Sequence, residues 1–228
     1  MRSLGFVALS TLALVSLSGV ARAQSKDFEK GTFAISMERL SGFNHVKSST
    51  TVNTPGGDVT TSTSADRFML MGMEASSPAD LPRVGLDYFI IDKLSLGGTL
   101  FIGYSSATTN LGGLGNANAS ATDILFAPRV GYAVMFNDTI GVWPRGGFSY
   151  FHRSIDPDNG PSDSAYYLAL NLEAPFIFGL ANGFAITAGP AVDVSLTGSA
   201  TTHNANVSVD RDISYFSFGL FAGFLAWF

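Results

Sequence analysis

Three side chains near the middle of the chain combine the groups of a hydrolytic triad. The stretch Phe-His-Arg-Ser-Ile-Asp at 151–156 places His152, Ser154 and Asp156 at every second position. If the stretch is extended, these side chains share one face, because alternate residues of a strand point the same way. A base, a nucleophile and an orienting acid at a membrane rim are the groups that lipid hydrolysis needs. Residues two apart in a strand lie ~6–7 Å apart, so the spacing does not by itself create a His–Ser hydrogen bond.

The His-x-Ser spacing resembles that of outer-membrane lipid A deacylases. The Asn- and Gly-rich motif of that family is only faintly echoed by Asp-Pro-Asp-Asn-Gly-Pro-Ser at 156–162. We therefore interpret the stretch as a solvated strand tip and predict a protein without enzymatic activity. The sequence has no Gly-rich phosphate loop and no cluster with metal-ligand spacing, so neither a cofactor nor a metal ion is predicted.

A second pattern repeats a proline beside an arginine. Pro-Arg-Val-Gly occurs at 82–85 and at 128–131, and Pro-Arg-Gly-Gly follows at 144–147. Within strands, the alternation directs each arginine and the glycine two residues later to one face, and each proline to the other. Because proline removes a ladder donor, the pattern predicts local bulges or kinks at Pro82, Pro128 and Pro144.

The composition indicates which solvent surrounds these strands. Only 14 % of residues are charged, against the ~25 % typical of soluble domains, while 46 % are hydrophobic and 25 are glycines. Too few charges remain to cover a water-facing surface, so the chain is predicted to meet lipid. The uncharged window at 174–192 contains Pro175, Pro190 and an Asn182-Gly183 turn signal, which favours two strands over a helix. A closed β-barrel then satisfies the backbone within a bilayer.

Alternating apolar residues define eight strands, so the predicted fold class is all-β, an eight-stranded antiparallel up-and-down transmembrane β-barrel. The predicted strands cover 31–43, 83–91, 94–106, 122–136, 140–153, 164–179, 184–197 and a last segment that ends at Phe228. Short turns alternate with longer polar loops at about 107–121, 156–163 and 198–211. The Ser/Thr-rich segment at about 44–82 is predicted to be a long first extracellular loop, although Phe-Met-Leu-Met-Gly-Met at 68–73 is unusually apolar for a loop. A hairpin extension of the second strand is the alternative for those residues.

The charged residues of inward parity are predicted to form an ion-pair layer that plugs the narrow lumen. Arginine suits such a layer because its planar fork can bond two carboxylates. A gate whose ion pairs rearrange to pass small ions is the alternative interpretation. The seven residues are Glu38, Arg83, Asp87, Arg129, Arg145, Glu173 and Asp193.

Both ends of the chain carry export features. Residues 1–23 have a basic start, an apolar run and Ala21-Arg22-Ala23, which predicts a signal peptide followed by a barrel domain at 24–228. The final strand alternates Phe224, Ala226 and Phe228. With the signal and eight strands, this ending resembles the small outer-membrane β-barrel family, of which the OmpA-type transmembrane domain is the familiar member. In that family such a strand is recognised by the barrel assembly machinery, so the resemblance implies the same partner and role for these three residues.

The predicted protein is an integral barrel of a Gram-negative outer membrane with a structural or adhesin-like role. Its expected partners are membrane lipid, lipopolysaccharide and a surface ligand at the extracellular loops. The acidic balance, with a net charge of −5, disfavours nucleic acid. Three alternatives remain: a narrow gated pore, a lipid hydrolase, and a soluble lipocalin-like binder with inside and outside exchanged.

Overall fold

The computed structural model describes residues 28–70, 78–110, 116–158, 160–204 and 207–228. The predicted signal peptide lies outside these residues. Among the residues described, no helix is both long and apolar enough to span a membrane. A 3-10 turn, Pro78–Asp80, accompanies the strands β1 Phe33–Thr54, β2 Gly57–Leu70, β3 Arg83–Ile91, β4 Leu94–Asn110, β5 Asn116–Tyr132, β6 Val134–Met135, β7 Ile140–Val142, β8 Arg145–Pro157, β9 Ser162–Glu173, β10 Phe176–Ala181, β11 Phe184–Asn204 and β12 Val207–Trp227.

The strands close into a ring of eight. The antiparallel order is β1-β3-β4-β5-β8-β9-β11-β12, and β12 pairs with β1 to close it. Short strands β6, β7 and β10 continue β5, β8 and β9 toward the end that carries the tight turns. The predicted eight-stranded antiparallel barrel is therefore confirmed.

The two faces of the wall differ as a membrane barrel requires. Large apolar side chains such as Leu86, Phe126 and Phe218 are about half exposed on the outside, whereas Arg129, Asp87 and other charged groups are buried inside. Lipid must cover the outer face, because water would not solvate so much apolar surface. The soluble lipocalin-like alternative is wrong, since it would need the charges outside and the apolar side chains inside.

Prolines on neighbouring strands lie at similar heights in the wall, and two of them interrupt their strands. Pro144 separates β7 from β8 and Pro175 separates β9 from β10. The ladder continues across the breaks through proline carbonyls: Tyr132 N–H donates to Pro144, Trp143 N–H to Pro175, and Ala174 N–H to Pro190. A proline lacks the backbone N–H but retains its carbonyl oxygen as an acceptor. Neighbouring strands can therefore still donate hydrogen bonds to these prolines.

Of the bulge or kink predicted at Pro128, the bulge does not occur. Pro128 pairs with Gly98 of β4 without a register shift. Toward β8, pairing is interrupted after Phe126 and resumes at Arg129 in the same register. The missing N–H of Pro128 therefore interrupts the pairing with β8, but it inserts no extra residue and so creates no β-bulge. Pro82 lies just before β3 begins, so it removes no ladder donor from that strand.

Most of the described residues in the three predicted polar loops belong to strands. β4 and β5 pair as far as Asn110 and Asn116, β11 and β12 as far as Asn204 and Val207, and β8 pairs with β9 as far as Ile155 and Asp163. Apolar alternation stops at the predicted boundaries of these loops. Above the membrane both faces meet water, so a ladder of Ser, Thr and Asn residues continues without that signal.

The segment at about 44–82 is also not an irregular loop. Its first part extends β1 to Thr54, turns, and returns as β2, with every pair from Ser41↔Leu70 to Thr54↔Gly57 in register. The extension includes Phe68, Met69 and Leu70, while residues 71–73 of the apolar stretch lie outside those described. The chain then enters the lumen at the 3-10 turn before β3 begins.

The wall consequently changes composition with height. At the level of the tight turns β3 lies between β1 and β4, and its pairing with β4 ends at Val84↔Leu100. Higher up, β2 takes the place of β3 beside β1, but the described parts of β2 and β4 share no backbone pairing. We call this separation the β2–β4 split.

Candidate functional site

A bulge in β1 brings two opposite charges into the lumen. The pairing of β1 with β12 shifts between Met37 and Ser41, and Arg39 has a positive φ of 54°. Regular alternation would direct Arg39 to lipid once Glu38 points inward. The bulge turns both inward, where their exposed fractions are 3 % and 5 %. A charged side chain in hydrocarbon costs several kcal/mol (~2–4 at the midplane), which explains the local departure from ladder geometry.

The buried charges form one continuous alternating chain. Arg129 donates to Asp87 (Nη2–Oδ2 2.6 Å) and to Glu38 (Nη1–Oε2 2.7 Å). Arg145 then joins Glu38 (Nη1–Oε1 2.6 Å) to Glu173 (Nη2–Oε2 2.8 Å). Five strands of the ring, β1, β3, β5, β8 and β9, are thereby tied together.

Arg39 completes that chain. Its guanidinium donates to Glu173 (Nη2–Oε1 2.8 Å) and to Asp193 (Nη1–Oδ2 2.7 Å). The order across the lumen is Asp87–Arg129–Glu38–Arg145–Glu173–Arg39–Asp193, which we call the ionic layer. The guanidinium group of each arginine donates hydrogen bonds to two carboxylates, so every charge of the layer has a counterion.

Arg83 lies in the lumen but differs from the arginines of the ionic layer. It is 2 % exposed and donates to the carbonyl oxygen of Pro78 at 3.2 Å. Among the described residues, no carboxylate lies within ion-pair distance of it, and its Nε has no hydrogen-bond partner.

The 3-10 turn caps the ionic layer from above. Arg39 donates to the carbonyl of Ala79 at 2.7 Å, and Asp80 accepts hydrogen bonds from Asn44 and Arg67. Leu81, 1 % exposed, follows the turn and packs in a cluster with Leu125, Ala127 and Phe151. Residues 78–81 therefore fill the upper lumen.

Aromatic rings close the lower end of the lumen. Phe28, just before β1, lies 5.0 Å from Phe89, 5.9 Å from Trp143 and 5.3 Å from Trp227 between ring centroids. Arg145 stacks over Trp143 at 4.8 Å, joining this floor to the ionic layer. The lumen is therefore occupied at three successive levels by aromatic, ionic and apolar groups.

The glycines of the Pro-Arg repeats make room for the layer in two different ways. A Cβ on Gly85 would lie 2.8 Å from Nη2 of Arg129, and one on Gly131 would lie 2.9 Å from Cγ of Arg145. A Cβ on Gly147 would instead meet the backbone of Pro128 and Arg129. Two of the three glycines thus spare an arginine side chain, and the third permits close backbone approach.

Six of the seven predicted lumen charges meet in the ionic layer, and Arg83 stands beside it. Sequence reasoning missed Arg39, because strict alternation placed it toward lipid; an arginine beside an inward Glu38 was the available signal. It also missed the 3-10 turn with Asp80, and a higher lumen pair in which Arg153 donates to Asp123 at 2.6 and 2.9 Å.

The hydrolytic candidates do not assemble a triad. Ser154 donates to Asp156 (Oγ–Oδ2 3.1 Å), and the described contacts include no hydrogen bond between His152 and Ser154. A nucleophile needs the base within hydrogen-bond reach. Within the described residues there is also no group of three His, Cys, Asp or Glu side chains placed to hold a metal ion.

The residues of the predicted assembly signal lie at the seam of the barrel. Phe224 and Phe228 are 43 % and 64 % exposed on the lipid face, and Ala226 pairs with Ile35 of β1. Phe228 exchanges two backbone hydrogen bonds of 3.0 Å with Phe33. Recognition of this strand by the assembly machinery stays a prediction.

Sequence comparison finds no matching family model and no matching curated protein. Structural comparison does find outer-membrane barrels. OprG from Pseudomonas aeruginosa is 16 % identical with a TM-score of 0.46, covering 88 % of this chain and 97 % of its own. The outer membrane protein AlkL, solved in lipid bilayers, is 13 % identical with a TM-score of 0.46, covering 93 % and 97 %.

The outer membrane protease OmpT from Escherichia coli is matched as well, at 9 % identity and a TM-score of 0.42, with 91 % of this chain and 99 % of its own covered. The matched proteins thus share an architecture and a membrane location while including both an enzyme and barrels not described as enzymes. Function has to be argued from the residues of this chain.

Proposed function

We propose that this outer-membrane β-barrel is a non-conducting, non-enzymatic surface protein that recognises a cationic partner through its extracellular hairpins. The observation that carries the proposal is the contrast between its two ends. The lumen is filled at three levels, so it offers no free surface. At the end of the barrel away from the tight turns, long polar hairpins project into water. A barrel without a pathway through it has its available surface outside the cell.

The hairpins are much longer than membrane crossing requires. β11 and β12 have 21 residues each and β1 has 22, about twice the 9–11 that a tilted strand needs. Side-chain hydrogen bonds stiffen the extensions, as between Thr51 and Thr60 at 2.9 Å and between Ser49 and Ser62 at 2.8 Å. Rigid strands lose less entropy on binding than irregular loops do.

The charge of the projecting end supports a cationic partner. Among the described residues of this end, exposed carboxylates outnumber exposed bases, since Lys47 is exposed while Arg67, Arg153 and Arg211 are partly buried. Excess negative charge raises the local concentration of cations and the rate at which a basic surface docks. Within the part of this end that the structure describes, the exposed carboxylates are those of Asp58, Asp66, Asp156, Asp158, Asp163, Asp210 and Asp212.

Attachment of cells to surfaces of defined charge tests this proposal. Cells that produce the protein are expected to attach to aminated glass more than cells with an empty vector do. On carboxylated glass the two kinds of cell should attach equally. A variant with Asp58→Asn, Asp66→Asn, Asp163→Asn and Asp210→Asn should lose most of the gain at the same surface abundance. Equal attachment of wild type and variant to aminated glass would contradict the proposal.

A shortened variant identifies which hairpin is responsible. Ser48 and Thr63 form a cross-strand pair, so residues 49–62 can be replaced by Asn-Gly, which favours a two-residue turn. If the β1–β2 hairpin contributes, this variant attaches less than wild type while keeping the barrel folded. Heat-modifiable migration of both proteins provides the folding control.

A further inference from the structure

Strand β2 has a free backbone edge where the barrel projects above the membrane. It pairs with β1 along Gly57–Leu70, and no strand among the described residues pairs with its other side. Every residue from Gly57 to Ser64 is exposed. Across the β2–β4 split, the described pairing of β4 with β3 ends at Leu100. An unpaired edge presents a row of N–H and C=O groups on which another strand can pair.

The backbone groups on the free edge of β2 belong to alternate residues. In an antiparallel pair, side chains lie closest at the positions whose backbone groups do not bond to one another. The hydroxyl groups of Ser49 and Ser62 lie 2.8 Å apart, and those of Thr51 and Thr60 lie 2.9 Å apart. The N–H and C=O groups of Thr60 and Ser62 therefore point away from β1 and into the split.

Natural edge strands usually carry features that prevent pairing, and β2 has few of them. Lysine, proline and β-bulges are the common ones. The paired part of β2 contains neither lysine nor proline, and its register with β1 is unbroken. The seven residues Val59–Ala65 carry no charge, and four of the seven are the β-branched Val or Thr that favour strands. This edge is therefore open to pairing with an incoming strand.

Two carboxylates flank this uncharged run on the outward face. Asp58 and Asp66 lie eight residues apart, which is ~27 Å along an extended strand. Asp66 contacts His45 at 2.7 Å, and the described contacts give Asp58 no cation. The opposite edge of the split has no such pair, because Phe101–Asn110 of β4 contains no charged residue. Charge therefore favours an incoming strand that pairs with β2 and has basic ends.

We infer that an extended segment of a partner protein adds to the free edge of β2 as an antiparallel strand, with basic residues opposite Asp58 and Asp66. The inference rests on the proposed recognition of a cationic partner and names how that partner is bound. Backbone hydrogen bonds supply affinity, and the two carboxylates select for charge. A second copy in the same membrane does not meet this requirement, because both copies of β2 run toward the membrane and would meet in parallel.

Binding of designed peptides to the protein in dimyristoylphosphatidylcholine nanodiscs tests the strand addition. The parent peptide is Lys-Val-Thr-Thr-Ser-Thr-Thr-Val-Lys, and the fluorescence anisotropy of a labelled copy measures its Kd. N-methylation of alternate residues removes the donors from one edge of the peptide only. The isomer whose methyl groups face β2 is expected to bind roughly tenfold more weakly, and the other isomer should bind as the parent does.

The outcomes separate this inference from the role on which it rests. If both N-methylated isomers bind as tightly as the parent, recognition of cations stands and strand addition is refuted. Strand addition is also refuted if the parent peptide does not bind while cells that produce the protein still attach to aminated glass. A peptide with glutamate in place of both lysines should bind roughly tenfold more weakly than the parent. Equal binding of these two peptides would contradict the charge selection and, with it, the proposed recognition.

Matched variants of the protein locate the added strand. Ser62→Pro removes one backbone donor from the free edge, a change that an edge strand tolerates. It should weaken binding of the parent peptide roughly tenfold. Ser62→Ala removes only the hydroxyl group and should bind the peptide as wild type does. Heat-modifiable migration checks that both variants fold. Undiminished binding by folded Ser62→Pro would refute addition at this edge.

Discussion

Single residues decide whether charge can be buried inside this barrel. Glu38 is the central carboxylate of the ionic layer, because it accepts from Arg129, Arg145 and the hydroxyl of Ser36. Its attraction for two arginines offsets the cost of removing three charges from water. Loss of that one carboxylate leaves two guanidinium groups incompletely compensated.

Glu38→Gln should therefore destabilise the barrel by about 3–5 kcal/mol. Urea unfolding in lipid vesicles, followed by tryptophan fluorescence, measures the change. Asp66→Asn is the matched control, since that carboxylate is exposed and pairs only with His45 at 2.7 Å, as far as the described contacts go. It should change stability by no more than ~1 kcal/mol. Equal stability of Glu38→Gln and wild type would show that the layer does not hold the strands together.

Gly131→Ala tests the space that the Pro-Arg repeat reserves. The added Cβ would lie 2.5 Å from Nε1 of Trp143 and 2.9 Å from Cγ of Arg145. Overpacking of this kind costs about 1–3 kcal/mol. Gly56→Ala is the control, because its Cβ would meet only Thr54 Oγ1, at 4.0 Å. In the same urea titration, the unfolding midpoint should fall for Gly131→Ala and stay unchanged for Gly56→Ala.

At the scale of elements, alternation predicted the lipid-facing sides of the strands because hydrocarbon imposes a single rule on them. Leu86, Phe126 and Phe218 lie outside as that rule requires. It fails where water or protein meets both faces: the hairpin extensions are polar on both sides, and the 3-10 turn is buried inside. Arg39 violates the rule outright, and only the bulge, which depends on partners distant in sequence, reconciles it.

The turn before β3 is an element that the barrel needs although it belongs to no strand. Leu81→Ala should cost about 2–5 kcal/mol, because the side chain is 1 % exposed among Leu125, Ala127 and Phe151. Leu196→Ala, at a leucine that is 57 % exposed to lipid, should cost less. Urea midpoints for the two leucine variants make the comparison. If Leu196→Ala were the more damaging, the turn would not be a packed part of the lumen.

At the scale of the whole molecule, three kinds of group close one passage. An aromatic floor, the ionic layer and the apolar cluster around Leu81 succeed one another along the lumen, and each is fixed by different elements. Opening a path for ions would require all three to rearrange together. Breaking only the ionic layer would expose buried charges while the floor at Phe28 and Trp143 stayed shut. The gated pore that the charges alone suggested is therefore disfavoured by what lies above and below them.

Single-channel recording of the refolded protein in a planar bilayer measures that closure. Wild type is expected to give a flat current at both voltage polarities, while a porin refolded by the same procedure gives steps. Glu38→Gln should also stay silent if it remains folded, because the levels above and below the ionic layer still occlude the lumen. Steady, reproducible steps from heat-modifiable wild-type protein would establish a conducting path and contradict the non-conducting role. Steps from Glu38→Gln alone would instead identify the ionic layer as the sole barrier and assign the aromatic floor and the turn to stability.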